Sequence, residues 1–140
     1  MALLPEVKAG NWYFRQLFAG HQRLQRAKTP NEGFYTTKGA LSPYAKDLGK
    51  YRSFNQKDEN PAAFWLSRCG FAYRDRDIQY WDDWQNAEFL TFHSWECSWQ
   101  AIQAIDTVKR DVYFTSPCRY PIGSFGQAMR YRIENIASAL

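Results

Sequence analysis

Four aspartates near one another in the sequence are the residues best suited to act as an acid and base pair. A sugar-cleaving site needs two carboxyl groups about 5 to 10 Å apart, one to donate a proton and one to attack or to activate water. The candidates are Asp75, Asp77, Asp82 and Asp83. All four lie near a predicted turn, where capping and solvation explain carboxylates without catalysis. We therefore predict no catalytic residue in this chain.

His93 stands beside Ser94 and near Glu96, a group of residue types that hydrolases use. Nucleophilic catalysis also needs a strand-to-helix elbow or equivalent oxyanion donors, and the sequence contains no G-x-S-x-G motif. We favour a histidine that is hydrogen bonded inside a sheet, with a ligand-facing role as the alternative.

Aromatic residues make up 18% of the chain. Tyrosine and tryptophan combine an apolar ring with a polar group, which suits stacking on sugars or partner surfaces. Most of the aromatic rings should form the core between two sheets, and a minority should form a ligand-binding aromatic shelf. The aromatic members would be Trp81, Trp84, Trp95, Trp99, Tyr73 and Tyr80. The polar contacts would come from Arg74, Arg76, His93 and Glu96.

The metal-binding and disulfide-forming residue types show no regular spacing. Cys69, Cys97 and Cys118 lack the close pairs of a zinc site and the even count of a disulfide scaffold, so we interpret them as small buried hydrophobes. The two histidines, His21 and His93, lie far apart. We expect no metal and no cofactor.

Charge disfavours nucleic acid as a partner. The net charge is only +4, from 18 basic and 14 acidic residues spread along the chain, and no RNP-like sequence is present. The candidates for phosphate contact would be Arg68, Arg74, Arg76, Arg119, Arg130 and Arg132. The first residues lack the order of a secretion signal, and no apolar run approaches the roughly 20 residues that cross a bilayer. We expect a soluble chain with no membrane partner, and the sequence indicates no compartment.

Short apolar and polar alternations predict a single, mainly β domain over residues 1–140. Residues 11–18 and 21–27 should form a hairpin, residues 38–61 an irregular excursion, and residues from 61 a short helix. Residues 77–84 should form a helical turn capped by Asp77. Further strands are predicted at 34–36, 69–73, 89–95, 99–105, 111–115 and 129–133, with Arg130, Arg132 and Glu134 on the wet face of the last. Together they favour an antiparallel β-sandwich or flattened β-barrel with one or two short helices.

Several stretches together resemble a β domain inserted in large bacterial right-handed parallel β-helix proteins. They are PEVKAGNWYFRQLF, RAKTPNEGFY, FAYRDRDI, FLTFHSW, VYFTSP and RYRIENI, which cover roughly residues 5–35 and 70–136. Some of those proteins are glycoside hydrolases that act on xylan-derived or fucose-containing sugars. The resemblance implies an accessory module beside a carbohydrate cleft, with the catalytic carboxylates on the β-helix. We expect an excised fragment or a free-standing relative with another role.

These observations predict a non-catalytic accessory or binding module that is associated with carbohydrate. Its partners would be a glycan or small molecule, and a β-helix domain or a second copy of the chain. The alternative is a free-standing domain that binds a small ligand or another protein.

Overall fold

A computed structural model describes residues 4–12, 14–41, 66–123 and 128–139 of the chain. Most of the predicted excursion, residues 42–61, and the start of the predicted helix after it lie outside these ranges. Residues 38–41, where the excursion would begin, are packed against the fold, since Ala40 and Leu41 are buried.

The described residues form one short α-helix, nine strands and two 3-10 helices. Helix α1 spans Pro5–Lys8, and η1 (Trp84–Asn86) and η2 (Ala137–Ala139) are the 3-10 helices. The short strands are β1 (Phe18–Ala19), β2 (Gln22–Arg23), β3 (Lys28–Thr29), β4 (Tyr35–Thr36) and β5 (Gly70–Ala72). The longer ones are β6 (Glu88–Phe92), β7 (Cys97–Asp106), β8 (Asp111–Phe114) and β9 (Arg130–Glu134).

Seven of these strands form one antiparallel sheet in the order β3-β9-β6-β7-β8-β5, with β4 also paired to β9. Residues after β4 connect the two ends of this sheet. The Thr37 amide donates to the Met129 carbonyl at 2.8 Å, and the Lys38 amide donates to the Ala72 carbonyl at 2.8 Å. The sheet therefore curls upon itself without becoming a closed barrel, and β1 and β2 form a separate hairpin. The predicted mainly antiparallel β fold with short helices is confirmed.

The core lies inside the curve of the sheet and consists mainly of phenylalanine, tyrosine and isoleucine. Phe71 is at its centre, with ring centroids 4.7 Å from Tyr131, 5.7 Å from Phe89 and 5.8 Å from Phe114. Each of these rings is at most 2% exposed, so this cluster supplies much of the apolar burial that stabilises the fold.

The strands in the second half of the chain match the prediction closely, whereas other elements differ. Residues 77–83 consist of turns at 77 and 82–83 with irregular chain between them, instead of a helical turn, and η1 follows them. The Asp77 carboxylate does not cap a helix, because it accepts a hydrogen bond from the Tyr131 hydroxyl at 3.0 Å. The predicted N-terminal hairpin shortens to two residues in each strand, and α1 precedes it.

Candidate functional site

Two buried glutamates face each other on the outer surface of the sheet. Glu88 on β6 and Glu134 on β9 are directly opposite in the strand register, and they are only 8% and 3% exposed. The next pair along the strands, Phe89 and Ile133, belongs to the core. Because successive side chains alternate between faces, the two carboxylates lie on the opposite side of the sheet from the core. This corrects the prediction that Glu134 is on a wet face.

Three arginines neutralise this pair of carboxylates. Arg26 donates from Nη2 to Glu88 Oε2 at 2.6 Å and from Nη1 to Glu134 Oε2 at 3.1 Å. Arg132 Nη2 lies 2.6 Å from Glu134 Oε1, and Arg15 Nη2 lies 3.5 Å from Glu88 Oε1. We call these five residues the glutamate-arginine network. Since buried carboxylates are costly unless they are paired, the network explains why the N-terminal segment covers this face.

Trp99 lies beside the network on the same outer face. It is opposite Leu90 on β6, and Leu90 is in turn opposite Arg132 on β9. The guanidinium carbons of Arg15 and Arg26 lie 5.2 Å and 5.4 Å from the Trp99 ring centroid, within cation-π range. These contacts hold the indole in a fixed position next to charged donors and acceptors.

A cavity of about 280 Å³ opens next to this indole. Its walls include Trp99, Arg26, Arg132, Glu134, Arg23 and Lys28. We call it the Trp99 cavity. A second cavity of about 450 Å³, the N-terminal cavity, adjoins it and shares Arg26, and its walls include Trp12, Phe14, Leu17, Leu24, Asn86 and Asn135. An aromatic ring beside a few fixed polar groups is the usual make-up of a small-molecule site.

The predicted aromatic shelf does not appear as one continuous surface. Trp99 is on the outer face, whereas Tyr73 is 2% exposed in the core. Trp81 and Trp84 pack against the edge of the core, and Tyr80 stacks at a tilt on Trp84, with centroids 6.4 Å apart.

The other predicted shelf residues lie in separate places. Trp95 is 64% exposed and meets the Tyr120 ring edge-on at 5.3 Å. Arg74 is exposed and donates from Nε to Thr36 Oγ1 at 3.1 Å, and Arg76 is also exposed. The Glu96 carbonyl accepts a hydrogen bond from the His93 amide at 2.8 Å. Of the predicted set, only Trp99 contributes to the two cavities described above.

His93 lies between β6 and β7 and is 7% exposed. Its Nε2 is 3.1 Å from Ser98 Oγ, and its Nδ1 has no hydrogen-bond partner in the part of the chain that the structure describes. Burial lowers the pKa of the imidazole, and the nearby Glu96 charge opposes this shift in part. The folded protein therefore favours the neutral form of the His93 imidazole.

Cys118 lies near Ser98, the hydrogen-bond partner of His93, but it is poorly suited to act as a nucleophile. The thiol is fully buried, and burial raises its pKa to about 11, although the Thr91 and Ser98 side chains oppose that shift. A thiol with so high a pKa stays protonated near neutral pH, and the thiolate is the reactive form. Cys97, in contrast to the sequence-based interpretation, is exposed.

The burial of His93 predicts a loss of stability in mild acid. In the unfolded chain the imidazole binds a proton near its ordinary pKa of 6.5, whereas the folded protein resists protonation. The unfolded state thus binds more protons as the pH falls below 6.5, and the free energy of unfolding should decrease. We expect the urea midpoint to fall less between pH 7.5 and 5.5 in His93→Gln than in the wild type. His21→Gln, at an exposed histidine, is the control, and an unchanged pH dependence in His93→Gln would contradict the prediction.

Comparison with protein-family models, curated proteins and solved structures finds no match to this chain. The resemblance to an inserted domain of β-helix proteins therefore rests on the quoted stretches of sequence and remains a prediction.

The described ranges offer neither a metal cluster nor a membrane-spanning helix. No group of three or more His, Cys, Asp or Glu side chains that could hold a metal ion is found there. Within the same residues, no helix has the length and apolar character needed to cross a membrane.

Proposed function

We propose that this chain is a non-catalytic carbohydrate-binding module and that it holds a sugar ring in the Trp99 cavity. The observation that carries this proposal is the placement of a fixed indole, bounded by guanidinium and carboxylate groups, on the wall of an open cavity. The resemblance noted in the sequence supports the same class of ligand. Together they favour an accessory role beside a glycan-active partner domain.

The two parts of a sugar match the two parts of the cavity. A pyranose ring has an apolar face of C–H groups, which packs on an aromatic ring, and a rim of hydroxyl groups. Arg26, Arg132 and Glu134 provide donors and acceptors for that rim, and their own ion pairs hold them in place. A volume of about 280 Å³ is near the lower limit for ligand pockets, which suits one sugar residue of a longer chain.

The state of the two glutamates supports binding over hydrolysis. A glycosidase needs one carboxyl group that carries a proton and donates it to the leaving group. Glu88 and Glu134 instead each have both carboxylate oxygens in contact with a guanidinium group, so these oxygens serve as acceptors for arginine side chains. The arrangement fits a pair that anchors arginines and accepts hydrogen bonds from sugar hydroxyls.

Trp99→Ala should abolish most glycan binding. A glycan array identifies the sugars that bind the wild type, and calorimetry then compares variants on the best of them. We expect the affinity to fall at least about tenfold in Trp99→Ala, since loss of ring stacking and apolar contact amounts to about 1.4 kcal/mol or more. Trp95→Ala, which truncates a more exposed tryptophan outside the cavity, should bind as the wild type does.

Two results would overturn this proposal. The first is the absence of any glycan that binds the wild-type chain. The second is an equal loss of affinity in the Trp99→Ala and Trp95→Ala variants. Trp99→Leu retains an apolar side chain at the site and serves as the second variant if Trp99→Ala unfolds, with circular dichroism as the check on folding.

The N-terminal segment favours protein association as a second candidate function. Six of the ten exposed large apolar side chains in the described ranges lie within residues 4–24, and Phe18 is 57% exposed. The β1-β2 hairpin also forms its own two-stranded sheet, so its edges are open to pairing with another strand. We propose that the partner is a second copy of this chain, because the open edges of two such hairpins can pair with each other.

Sedimentation velocity tests this second candidate. The wild type should show a concentration-dependent dimer, and Phe18→Glu should be monomeric at the same concentrations. Val108→Glu places the same charge at a 91% exposed apolar residue in another loop and should leave the dimer intact. A wild type that stays monomeric throughout would rule out self-association.

A further inference from the structure

We infer that the Trp99 cavity selects sugars that carry an anionic group, such as a uronate carboxylate or a sulfate. This inference rests on the proposed glycan-binding function and adds the class of sugar. The first observation is the charge of the walls. Four cationic side chains line the cavity, Arg23, Arg26, Lys28 and Arg132, against the single carboxylate of Glu134.

Lys28 carries the clearest surplus charge in the cavity. It lies directly opposite Glu134 in the β3-β9 register, where an ion pair would be expected. Both oxygens of Glu134 are already occupied, Oε2 by Arg26 and Oε1 by Arg132. Within the described ranges, neither Lys28 nor Arg23 forms an ion pair with a carboxylate.

Arg132 provides a second and independent observation. Its Nη2 contacts Glu134, but its Nε is buried and has no hydrogen-bond partner among the residues that the structure describes. A buried N–H without a partner is costly, so a ligand that supplies an acceptor to it is favoured. Charged oxygens form the strongest hydrogen bonds with guanidinium groups.

The geometry therefore divides recognition of the sugar into two parts. The part of the Trp99 ring that lines the cavity and is not covered by Arg15 and Arg26 accepts the apolar face of a pyranose. The cations around it favour a pyranose that has a carboxylate or sulfate at its edge. The negative charge of Glu134 does not oppose this division, because two arginines already offset it. The positive charges of Lys28 and Arg23 therefore remain available to an anionic ligand. A neutral sugar would use the stacking surface and the hydroxyl contacts but would leave the surplus cations without a partner, and it would bind more weakly.

Calorimetry with matched anionic and neutral forms of the same sugar tests the inference. The first pair is trigalacturonate and its fully methyl-esterified form, and the second is a κ-carrageenan oligosaccharide and its desulfated form. We expect at least one anionic member to bind at least about tenfold more tightly than its neutral partner. That advantage should shrink between 20 and 300 mM NaCl, because salt screens the attraction between charges. The pair that shows the preference distinguishes carboxylate from sulfate.

Two double variants with equal net charge locate the effect. Arg23→Gln with Lys28→Gln removes the surplus cations, and we expect it to lose about tenfold in affinity for the anionic sugar with little change for the neutral one. Lys38→Gln with Arg119→Gln removes two exposed cations elsewhere and should change either affinity less than twofold. An equal loss in both double variants would show non-specific attraction and overturn the inference.

The remaining outcomes separate this inference from the proposed function. If each neutral sugar binds as tightly as its charged partner, the preference for anions is wrong and the binding module stands. If only unrelated neutral glycans bind, and Trp99→Ala abolishes that binding, the preference for anions is again wrong and the proposed binding function again stands. If no glycan binds at all, both proposals are overturned.

Discussion

Arg26→Met is expected to destabilise the folded protein by about 3 kcal/mol, the largest effect of any single charge removal on the outer face. Removal of one partner from a buried ion pair costs about 3 to 5 kcal/mol, because the remaining charge stays buried without compensation. Arg26 bridges both Glu88 and Glu134, at 2.6 Å and 3.1 Å, so its loss affects two carboxylates at once. Arg15 and Arg132 remain near them, which places the expected effect toward the lower end of that range.

Urea denaturation provides the measurement, with two comparison proteins. Arg23→Met removes a neighbouring and exposed arginine that bonds to neither glutamate in the described residues, and it should cost less than about 0.5 kcal/mol. Combining Arg26→Met with Glu88→Gln and Glu134→Gln removes the buried charges together with their partner, and most of the stability should return. If Arg26→Met and Arg23→Met unfold at the same urea concentration, the network does not stabilise this face.

The strands around the core could be predicted from the sequence because their signal is local. Alternation of Met129, Tyr131 and Ile133 with charged residues identifies β9 and its inward face, and all three apolar side chains are indeed buried. The same alternation places Glu134 on the outer face, also correctly. It does not show that this face is covered, because the covering residue, Arg26, lies 108 positions earlier in the chain.

The candidate site was only partly predictable for the same reason. Residue type alone identifies Trp99 as a candidate, but its neighbours come from the N-terminal segment and from β9, which the sequence does not bring together. Two acidic residues at facing ends of β6 and β9 would have been a usable signal once the pairing of those strands was known. The abundance of tryptophan is also misleading, since the buried core of the described residues consists mainly of phenylalanine, tyrosine and isoleucine, with Trp81 and Trp84 packed against it.

A tertiary contact likewise explains the wrong prediction at residues 77–84. Asp77 has the right type and position to cap a helix, and nothing nearby in the sequence argues against that role. In the structure its carboxylate accepts a hydrogen bond from Tyr131, a residue 54 positions away. Burial raises the pKa of Asp77, as expected for a carboxyl group drawn toward the core, although the bond from Tyr131 partly offsets the shift.

Gly70→Ala should destabilise the protein by about 3 kcal/mol or more, although it adds only one methyl group. A Cβ atom at this position would overlap the backbone carbonyl oxygen of Val112, and it would lie 3.1 Å from the Val112 carbonyl carbon and 3.2 Å from Tyr113 Cα. These are atoms of the paired strand β8. A flexible side chain could move aside, but here β5 itself would have to separate from β8. Overpacking usually costs about 1 to 3 kcal/mol, and a clash with backbone belongs at the top of that range.

The displacement of β5 in Gly70→Ala should also disturb the core, through Phe71. Phe71 follows Gly70 and contacts the rings of Phe89, Phe114 and Tyr131, so a shift of β5 withdraws the central ring of the cluster. Gly39→Ala is the matched control, since a Cβ there meets no atom within 4 Å and its backbone needs no left-handed conformation. Urea denaturation should place Gly39→Ala within about 0.5 kcal/mol of the wild type. Near-ultraviolet circular dichroism should show loss of the aromatic signal in Gly70→Ala alone. Equal stability of the two variants would mean that β5 does not pair with β8 in this register.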